Sequence, residues 1–82
     1  MQLTLYHFEG CPYCQMVRDY MDEHKISIPL KDIRAHPAYR EELKKIGGKT
    51  QVPCLVIDGK ALYESEDIVR WLKKNWTRGN IQ

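Results

Sequence analysis

Two cysteines, Cys11 and Cys14, stand where a predicted strand meets a predicted helix, and this junction constrains the fold more than any other feature of the chain. The preceding residues, 2–8, alternate apolar and polar side chains with the period of a half-buried strand. Pro12 follows the first cysteine and suits the first turn of a helix, where its missing N–H is not needed. The pattern therefore predicts a strand over 2–8 and a helix from Pro12 to about His24.

The middle of the chain repeats this succession of strand and helix. Alternating apolar residues predict a second strand near 26–32, and Pro29 within it indicates an edge position or a strand end. Pro37 opens a second predicted helix, and Gly47-Gly48 ends it as glycine commonly ends a helix. One apolar stripe is expected on this helix, formed by Tyr39, Leu43 and Ile46.

The last third of the chain predicts a hairpin and a closing helix. The apolar run over 52–57, the Asp58-Gly59 pair and the short return over 60–63 are typical of two antiparallel strands joined by a tight turn. Ser65 is predicted to cap a third helix. Residues 77–82 are expected to form a flexible tail.

The resulting order is strand, helix, strand, helix, strand, strand, helix. A βαβ unit followed by a hairpin and a helix predicts an α/β domain in which three helices flank a four-stranded mixed sheet. This arrangement is similar to the thioredoxin-like fold. The 82 residues contain neither a linker nor an internal repeat, so we expect residues 1–82 to form a single domain.

Charge and hydropathy argue against several classes of partner. The net charge is +2, and the 13 basic residues are interspersed with 11 acidic ones, so no nucleic-acid partner is expected. No segment has the length of a membrane span, and the N-terminus lacks the layout of a signal peptide. We therefore expect no membrane partner and a cytoplasmic location. Three cysteines in that compartment are not expected to form a structural disulfide framework.

The spacing of Cys11 and Cys14 favours redox chemistry. Both sulfurs fall on the first helical turn, where unpaired backbone N–H groups and the helix dipole stabilise an anion. Cys11, at the helix terminus, is the predicted nucleophile, and Cys14, one turn inside, is predicted to resolve the mixed disulfide. A zinc site completed by His7 and Cys54 is an alternative, although the spacing is not a common one. An unreactive pair is the other alternative, and no metal is expected.

The Cys11-Pro12-Tyr13-Cys14 motif resembles the active site of dithiol glutaredoxins, and the later segment Gln51-Val52-Pro53 resembles their Thr-Val-Pro. The resemblance covers nearly the whole chain. It implies that Pro12, Tyr13 and Pro53 support the active site, with a cis peptide before Pro53. It also implies that the Val52 backbone pairs with the cysteine of glutathione, and that Tyr13 and Gln51 contact this ligand. Glutathione would then be a co-substrate, with no bound cofactor.

A second segment, Glu64-Ser65, departs from glutaredoxins and resembles the N-terminal domain of glutathione transferases, where such a pair holds the γ-glutamyl end of glutathione. Taken without the resemblance, Ser65 is simply a helix cap and Glu64 a solvated charge. Arg40 resembles a contact for the glycine carboxylate, since a guanidinium forks well onto a carboxylate, but it also suits a surface position. A further departure is Phe8, where many glutaredoxins carry a lysine that stabilises the thiolate.

The resemblance implies a glutathione-dependent thiol–disulfide oxidoreductase that reduces protein disulfides and glutathione mixed disulfides as a monomer. Three alternatives remain open at this point: a hydrogen donor reduced by thioredoxin reductase, a carrier of a glutathione-ligated [2Fe–2S] cluster, and a transferase-like glutathione domain. Cys54 is expected to be a buried strand residue.

Overall fold

The structure is a computed structural model that describes residues 2–76. Its elements follow the predicted order: β1 (Leu3–His7), α1 (Pro12–Glu23), β2 (Leu30–Asp32), α2 (Pro37–Gly47), β3 (Cys54–Ile57), β4 (Lys60–Tyr63) and α3 (Ser65–Asn75). The predicted tail, residues 77–82, lies outside the described residues. None of the helices in the described part is both long and apolar enough to cross a membrane.

The four strands form one mixed sheet in the order β2-β1-β3-β4. β1 runs parallel to β2 and antiparallel to β3, and β3 pairs with β4 as a hairpin. The mixed sheet with three helices is therefore as predicted. β1 lies inside the sheet, between β2 and β3. The loop that follows β1 leads to Cys11 at the start of α1.

Side chains alternate between the two faces of the sheet and divide the core in two. On one face, Leu5 and Leu55 pack with residues of α1 and α3; this cluster comprises Leu5, Val17, Met21, Ile26, Ile28, Leu55, Ile68 and Leu72. On the other face, Tyr6 and Val56 pack against α2; this cluster comprises Tyr6, Ile33, Leu43, Cys54 and Val56. Helices on both faces thus fix the position of the β1–α1 junction.

The second strand is shorter than the predicted 26–32, because only Leu30–Asp32 pairs in the sheet. Ile26 and Ile28 are buried, which explains the apolar alternation, but they pack into the core without joining the ladder. The Pro29 carbonyl accepts a hydrogen bond from the backbone N–H of Leu5 at 2.9 Å, but Pro29 has no N–H of its own to continue the ladder. β2 lies at the sheet edge, as Pro29 indicated.

The hairpin is confirmed, but β3 begins at Cys54 rather than at residue 52. Asp58 and Gly59 turn the chain with φ of 49° and 85°, which is the conformation of a type I′ turn. Because β3 begins only at Cys54, Val52 and Pro53 lie outside the ladder. They lie at the same end of the sheet as Cys11.

α2 ends as predicted, with Gly48 in the left-handed conformation at φ 83°. The predicted apolar stripe is wrong in one position: Leu43 is fully buried and Tyr39 partly so, but Ile46 is exposed. The reason is that Gly47, at the last position of the helix, is the residue that faces β4. Tyr63 fills the space that a side chain at Gly47 would occupy.

Candidate active site

Cys11 caps the N-terminus of α1. Its backbone is extended, with φ −86° and ψ 115°, and Pro12 is the first helical residue, as the sequence predicts. The backbone N–H of Cys14 donates a hydrogen bond to the Cys11 sulfur at 3.3 Å. An N–H donor at a helix N-terminus stabilises negative charge, and here such a donor contacts the Cys11 sulfur.

Cys14 has a different environment from Cys11. It is fully buried, whereas Cys11 retains 8% exposure. Burial, and then the hydrogen bond with Cys11, raise the pKa of the Cys14 thiol to about 12. Cys14 is therefore a thiol near neutral pH, and Cys11 is the more exposed of the two residues. Both are free cysteines in the structure.

A cation lies over the ring of Phe8, three residues before Cys11. The guanidinium carbon of Arg34 is 3.9 Å from the centroid of the Phe8 ring, a cation–π arrangement. The backbone N–H of Cys11 donates a hydrogen bond to the Phe8 carbonyl at 3.4 Å. The segment after β2 therefore places a cationic group beside the loop that leads to Cys11. Arg34 was not among the residues predicted from the sequence.

A groove of about 600 Å³ lies between the start of α1, the segment before β3 and the start of α3. It brings together six of the seven residues predicted to bind glutathione: Tyr13, Gln51, Val52, Pro53, Glu64 and Ser65. It also includes three residues that the sequence did not single out: Met16, Glu66 and Asp67. Tyr13 is 66% exposed, so its ring is free to contact a ligand in this groove.

The segment before β3 has the backbone arrangement that the resemblance implied. The peptide bond between Val52 and Pro53 is cis. Pro53 is buried, and Val52 lies outside the β-ladder because β3 begins at Cys54. We find no hydrogen bond to the Val52 backbone among residues 2–76, so its peptide groups are open to an extended ligand.

Glu64, and not Ser65, occupies the cap position of α3, and its side chain makes no capping bond. Ser65 is instead the first helical residue and is buried. The prediction of a Ser65 cap is wrong because Glu64 takes φ 72° and ψ 119°, a conformation that L residues rarely adopt and that is common at functional sites. Gln51 donates a hydrogen bond from Nε2 to Glu64 Oε2 at 3.0 Å, which joins two of the predicted ligand contacts.

The seventh predicted contact, Arg40, is not in this groove. It is exposed on α2 and lines two neighbouring depressions. One, of about 400 Å³, also includes Phe8, Arg34 and Thr50. The other includes Lys44, Lys49 and Thr50. Thr50 lines both depressions and directly precedes Gln51, which lines the groove. The basic surface around Arg40 is therefore adjacent to the groove. The groove itself is acidic at its α3 end, where Glu64, Glu66 and Asp67 meet.

The alternative zinc site does not assemble. Within residues 2–76, the CxxC pair does not come together with His7 and Cys54 as a cluster of metal ligands. Cys54 is fully buried, as expected, and burial raises the pKa of its thiol to about 11. Cys54 is therefore a core residue that stays protonated at neutral pH.

A CxxC pair at the N-terminus of the first helix of a thioredoxin-like domain is an arrangement that thiol–disulfide oxidoreductases use. Comparison with known sequences is more specific. A sequence model of the family described as "Glutaredoxin" matches residues 3–62. The chain belongs to the glutaredoxin family.

Individual relatives are of two kinds. Glutaredoxin 3 of Escherichia coli is 31% identical over 66 residues, which cover 80% of this chain and 80% of that protein. Prostaglandin E synthase 2 of Mus musculus is 37% identical over 68 residues, which cover 82% of this chain but only 17% of that protein. The chain thus spans less than a fifth of the synthase.

Solved structures share the fold. The thioredoxin-like protein BC3987 superposes with a TM-score of 0.75, covering 89% of this chain and 97% of that one at 20% identity. Glutathione transferases also match, over about a third of their length; one from Trametes versicolor covers 90% of this chain and 33% of its own, with a TM-score of 0.76 and 29% identity. The predicted fold class is confirmed.

Proposed function

We propose that this protein is a glutathione-dependent thiol–disulfide oxidoreductase that reduces protein disulfides and glutathione mixed disulfides through Cys11 and Cys14. The observation that carries the proposal is the groove beside the CxxC motif, which gathers Tyr13, Val52 and Glu64 from three separate segments of the chain. Membership of the glutaredoxin family supports the same conclusion. We propose the cytosol as its compartment and a monomer as its form.

The first step of the proposed reaction is attack by the Cys11 thiolate on one sulfur of a disulfide. With a glutathionylated client, it attacks the glutathione sulfur, so the bond between glutathione and the client breaks. A Cys11–glutathione disulfide forms, and the client leaves as a thiolate that takes up a proton. The N–H donor of Cys14 at 3.3 Å supports the attacking thiolate.

The second step has two routes. A glutathione thiolate attacks the glutathione sulfur of the mixed disulfide, which releases oxidised glutathione and restores the Cys11 thiolate. With a protein disulfide, Cys14 loses its proton and attacks the Cys11 sulfur instead. The client then leaves reduced, and a Cys11–Cys14 disulfide remains. Two glutathione molecules reduce that disulfide and are themselves oxidised. The position of Cys14 one turn inside α1 suits this role.

The charges around the groove match the polarity of glutathione. The acidic end, with Glu64 and Asp67, suits the ammonium group of the γ-glutamyl residue. The N–H groups at the start of α3 have no side-chain cap and suit its carboxylate. Arg40 and its basic neighbours lie beyond Thr50 and suit the glycine carboxylate. Between them, the backbone of Val52 suits pairing with the central cysteine residue.

The test is reduction of a glutathione mixed disulfide by the purified protein, coupled to glutathione, glutathione reductase and NADPH. We expect turnover that is lost in Cys11→Ser and retained in Cys14→Ser, because only Cys11 is needed for the glutathione route. Reduction of a protein disulfide should need both cysteines.

A second test concerns the groove. Glu64→Gln should raise the KM for glutathione with little change in kcat. Glu23→Gln, which changes an exposed carboxylate outside the groove, should leave both KM and kcat unchanged.

The alternatives predict different results. A hydrogen donor of the thioredoxin-reduced kind would show no turnover with glutathione but would be reduced by thioredoxin reductase. A [2Fe–2S] carrier would purify anaerobically with visible absorption. Equal activity of Cys11→Ser and the unmodified protein would contradict the assignment of the nucleophile.

A further inference from the structure

A second group of potential ligands lies outside the glutathione groove, at the carboxyl ends of β1 and β2. It consists of His7, the last residue of β1, Asp32, the last residue of β2, and Glu9 in the loop toward Cys11. One imidazole nitrogen and one oxygen from each carboxylate lie within 4.8 Å of one another. The parallel pairing of β1 and β2 sets His7 directly opposite Asp32, so the sheet itself holds two of the three groups together.

His7 is an unusual residue for the interior. It is only 3% exposed, and its Nδ1 is buried with no hydrogen-bond partner in the described part of the chain. Buried polar atoms in proteins are almost always paired, and an exception asks for an explanation such as a missing ion. The mechanism proposed for Cys11 and Cys14 does not use this imidazole.

The two carboxylates are held by different means. Asp32 Oδ1 accepts hydrogen bonds from the backbone N–H groups of Arg34 and Ala35 at 2.8 and 2.9 Å. These bonds fix the carboxylate and use only one of its oxygens. Glu9 is more exposed, and its Oε2 pairs with Arg18 at 2.9 Å. Zinc–ligand bonds of roughly 2.0–2.2 Å place ligand atoms about 3.4 Å apart, so rotation of the exposed Glu9 side chain would complete the set.

We propose that His7, Glu9 and Asp32 form a binding site for a divalent transition metal of the zinc type. One imidazole and two carboxylates make three protein ligands, which leaves a fourth position for water. The imidazole favours Zn²⁺ or Co²⁺ over Mg²⁺ and Ca²⁺, which prefer all-oxygen sites. This site is distinct from the CxxC pair and does not depend on glutathione binding.

Arg18 tunes the affinity of this site. Its guanidinium competes with the metal for Glu9 and places a positive charge next to the ion. Removing that charge should strengthen binding, whereas removing any ligand should weaken it. Opposite effects from two neighbouring substitutions distinguish this site from general surface binding.

The experiment is a calorimetric titration with Zn²⁺, and a parallel Co²⁺ titration followed by visible absorption, on untagged Cys11→Ser/Cys14→Ser protein. That background removes the thiols that would otherwise take the metal. Glu9→Gln and Asp32→Asn should each weaken Zn²⁺ binding by roughly tenfold or more, and Arg18→Gln should strengthen it. Glu23→Gln, an exposed carboxylate elsewhere on α1, should bind as the background protein does.

His7→Gln completes the test, with its circular dichroism spectrum and thermal unfolding compared with the background protein. Because His7 is buried and this variant can fail to fold, the proposal is judged on Glu9→Gln and Arg18→Gln, which change exposed or partly exposed side chains. Binding that is unchanged in Glu9→Gln and Arg18→Gln, or no binding of Zn²⁺ and Co²⁺ at all, would overturn the proposal. Either result would leave the glutathione-dependent reaction untouched.

Discussion

The three thiols of this chain lie within the same small domain but have different chemical environments. Cys11 lies at a helix terminus with an N–H donor on its sulfur. Cys14 and Cys54 are fully buried, and burial raises their thiol pKa values to about 12 and about 11. A buried thiol with a raised pKa holds little thiolate at neutral pH, so it reacts slowly with electrophiles.

Brief alkylation of the reduced protein near neutral pH should therefore label Cys11 alone. We expect peptide mass spectrometry to find carbamidomethyl groups on Cys11, with labelling of Cys14 growing only as the pH rises toward 12. All three cysteines should be labelled in denaturant. Labelling of Cys14 at the same rate as Cys11 near neutral pH would show that its environment is not the one described.

Gly47 illustrates a residue whose requirement comes from tertiary contact. A Cβ at this position would lie 2.8 Å from Cζ of Tyr63, whose hydroxyl donates a hydrogen bond to the Lys49 carbonyl at 3.0 Å. Gly47→Ala should therefore lower the free energy of unfolding by about 1–3 kcal/mol, measured by urea denaturation.

The matched experiment places Gly47→Ala in a Tyr63→Leu background. In that background the clash between the new Cβ and the Tyr63 ring is relieved. Alanine also forms helix better than glycine by about 1 kcal/mol. We expect the substitution to be neutral or stabilising in that background. An equal loss in both backgrounds would mean that the cost of Gly47→Ala comes from somewhere other than Tyr63.

At the residue scale, the cysteines could be located from the sequence because CxxC chemistry depends on local spacing. Arg34 could not, since its contact with Phe8 joins residues from two different loops. The cap of α3 was misplaced because a serine is the better cap by propensity, whereas Glu64 holds a backbone conformation that no local pattern reveals.

The helices are joined to the sheet by different kinds of contact, and α2 uses a polar one. Glu42 on α2 accepts hydrogen bonds from the Tyr6 hydroxyl at 2.9 Å and from Lys31 Nζ at 2.7 Å. The Lys31 ammonium also lies 5.1 Å from the centroid of the Tyr39 ring. One carboxylate thus links α2 to both β1 and β2.

This link predicts a pH-dependent contribution to stability. The hydrogen bond from Lys31 and that from Tyr6 lower the pKa of Glu42 below its ordinary 4.5. A lowered pKa in the folded state means that the stabilisation is fully present above pH 4.5 and is lost as the pH falls through the folded-state pKa. Glu42→Gln should cost roughly 0.5 kcal/mol at neutral pH, because the Glu42 and Lys31 side chains are partly exposed, and less in acid.

Urea denaturation at neutral and acidic pH measures this difference. Glu41→Gln is the control, since Glu41 is an exposed neighbour on the same helix and makes no side-chain hydrogen bond within residues 2–76. The link would be disproved by a cost for Glu42→Gln that matches the control or that does not shrink in acid.

At the element scale, the order and type of every strand and helix could be predicted from periodicity and turn residues. Lengths could not, because Ile26 and Ile28 produce a strand-like alternation by burial alone, whereas a ladder also needs backbone partners. The exposed position of Ile46 could not be predicted either, because helical periodicity does not show that Gly47 is the residue that packs against Tyr63 of β4.

The net charge of the whole molecule is small, but its charged side chains are unevenly distributed over the surface. Basic residues on and around α2, including Arg34, Arg40 and Lys49, lie on one side of Cys11. Acidic residues at the start of α3 lie on the other side. The composition alone could not reveal this polarity, because the two groups are far apart in sequence and come together only through the fold.

This polarity predicts a salt effect on catalysis. Under the proposed function, Arg40→Gln should raise the KM for glutathione by about two- to fivefold at low ionic strength, and the difference should shrink as salt screens the interaction. The coupled reductase assay at several salt concentrations measures it. Lys60→Gln removes the same charge at the start of β4, beside the hairpin turn, and should have no effect; an equal effect would assign the change to net charge alone.

The sheet described here ends in short strands on both sides, since β2 has three residues and β4 has four. Open sheet edges are where folded proteins recruit one another into aggregates, and short edges that carry lysine or follow proline resist this. β2 follows Pro29 and contains Lys31, and β4 starts at Lys60. Under the proposed function, the protein binds other proteins while their disulfides are open and their strands can be unpaired, and short edges of this kind give such strands few backbone groups to pair with.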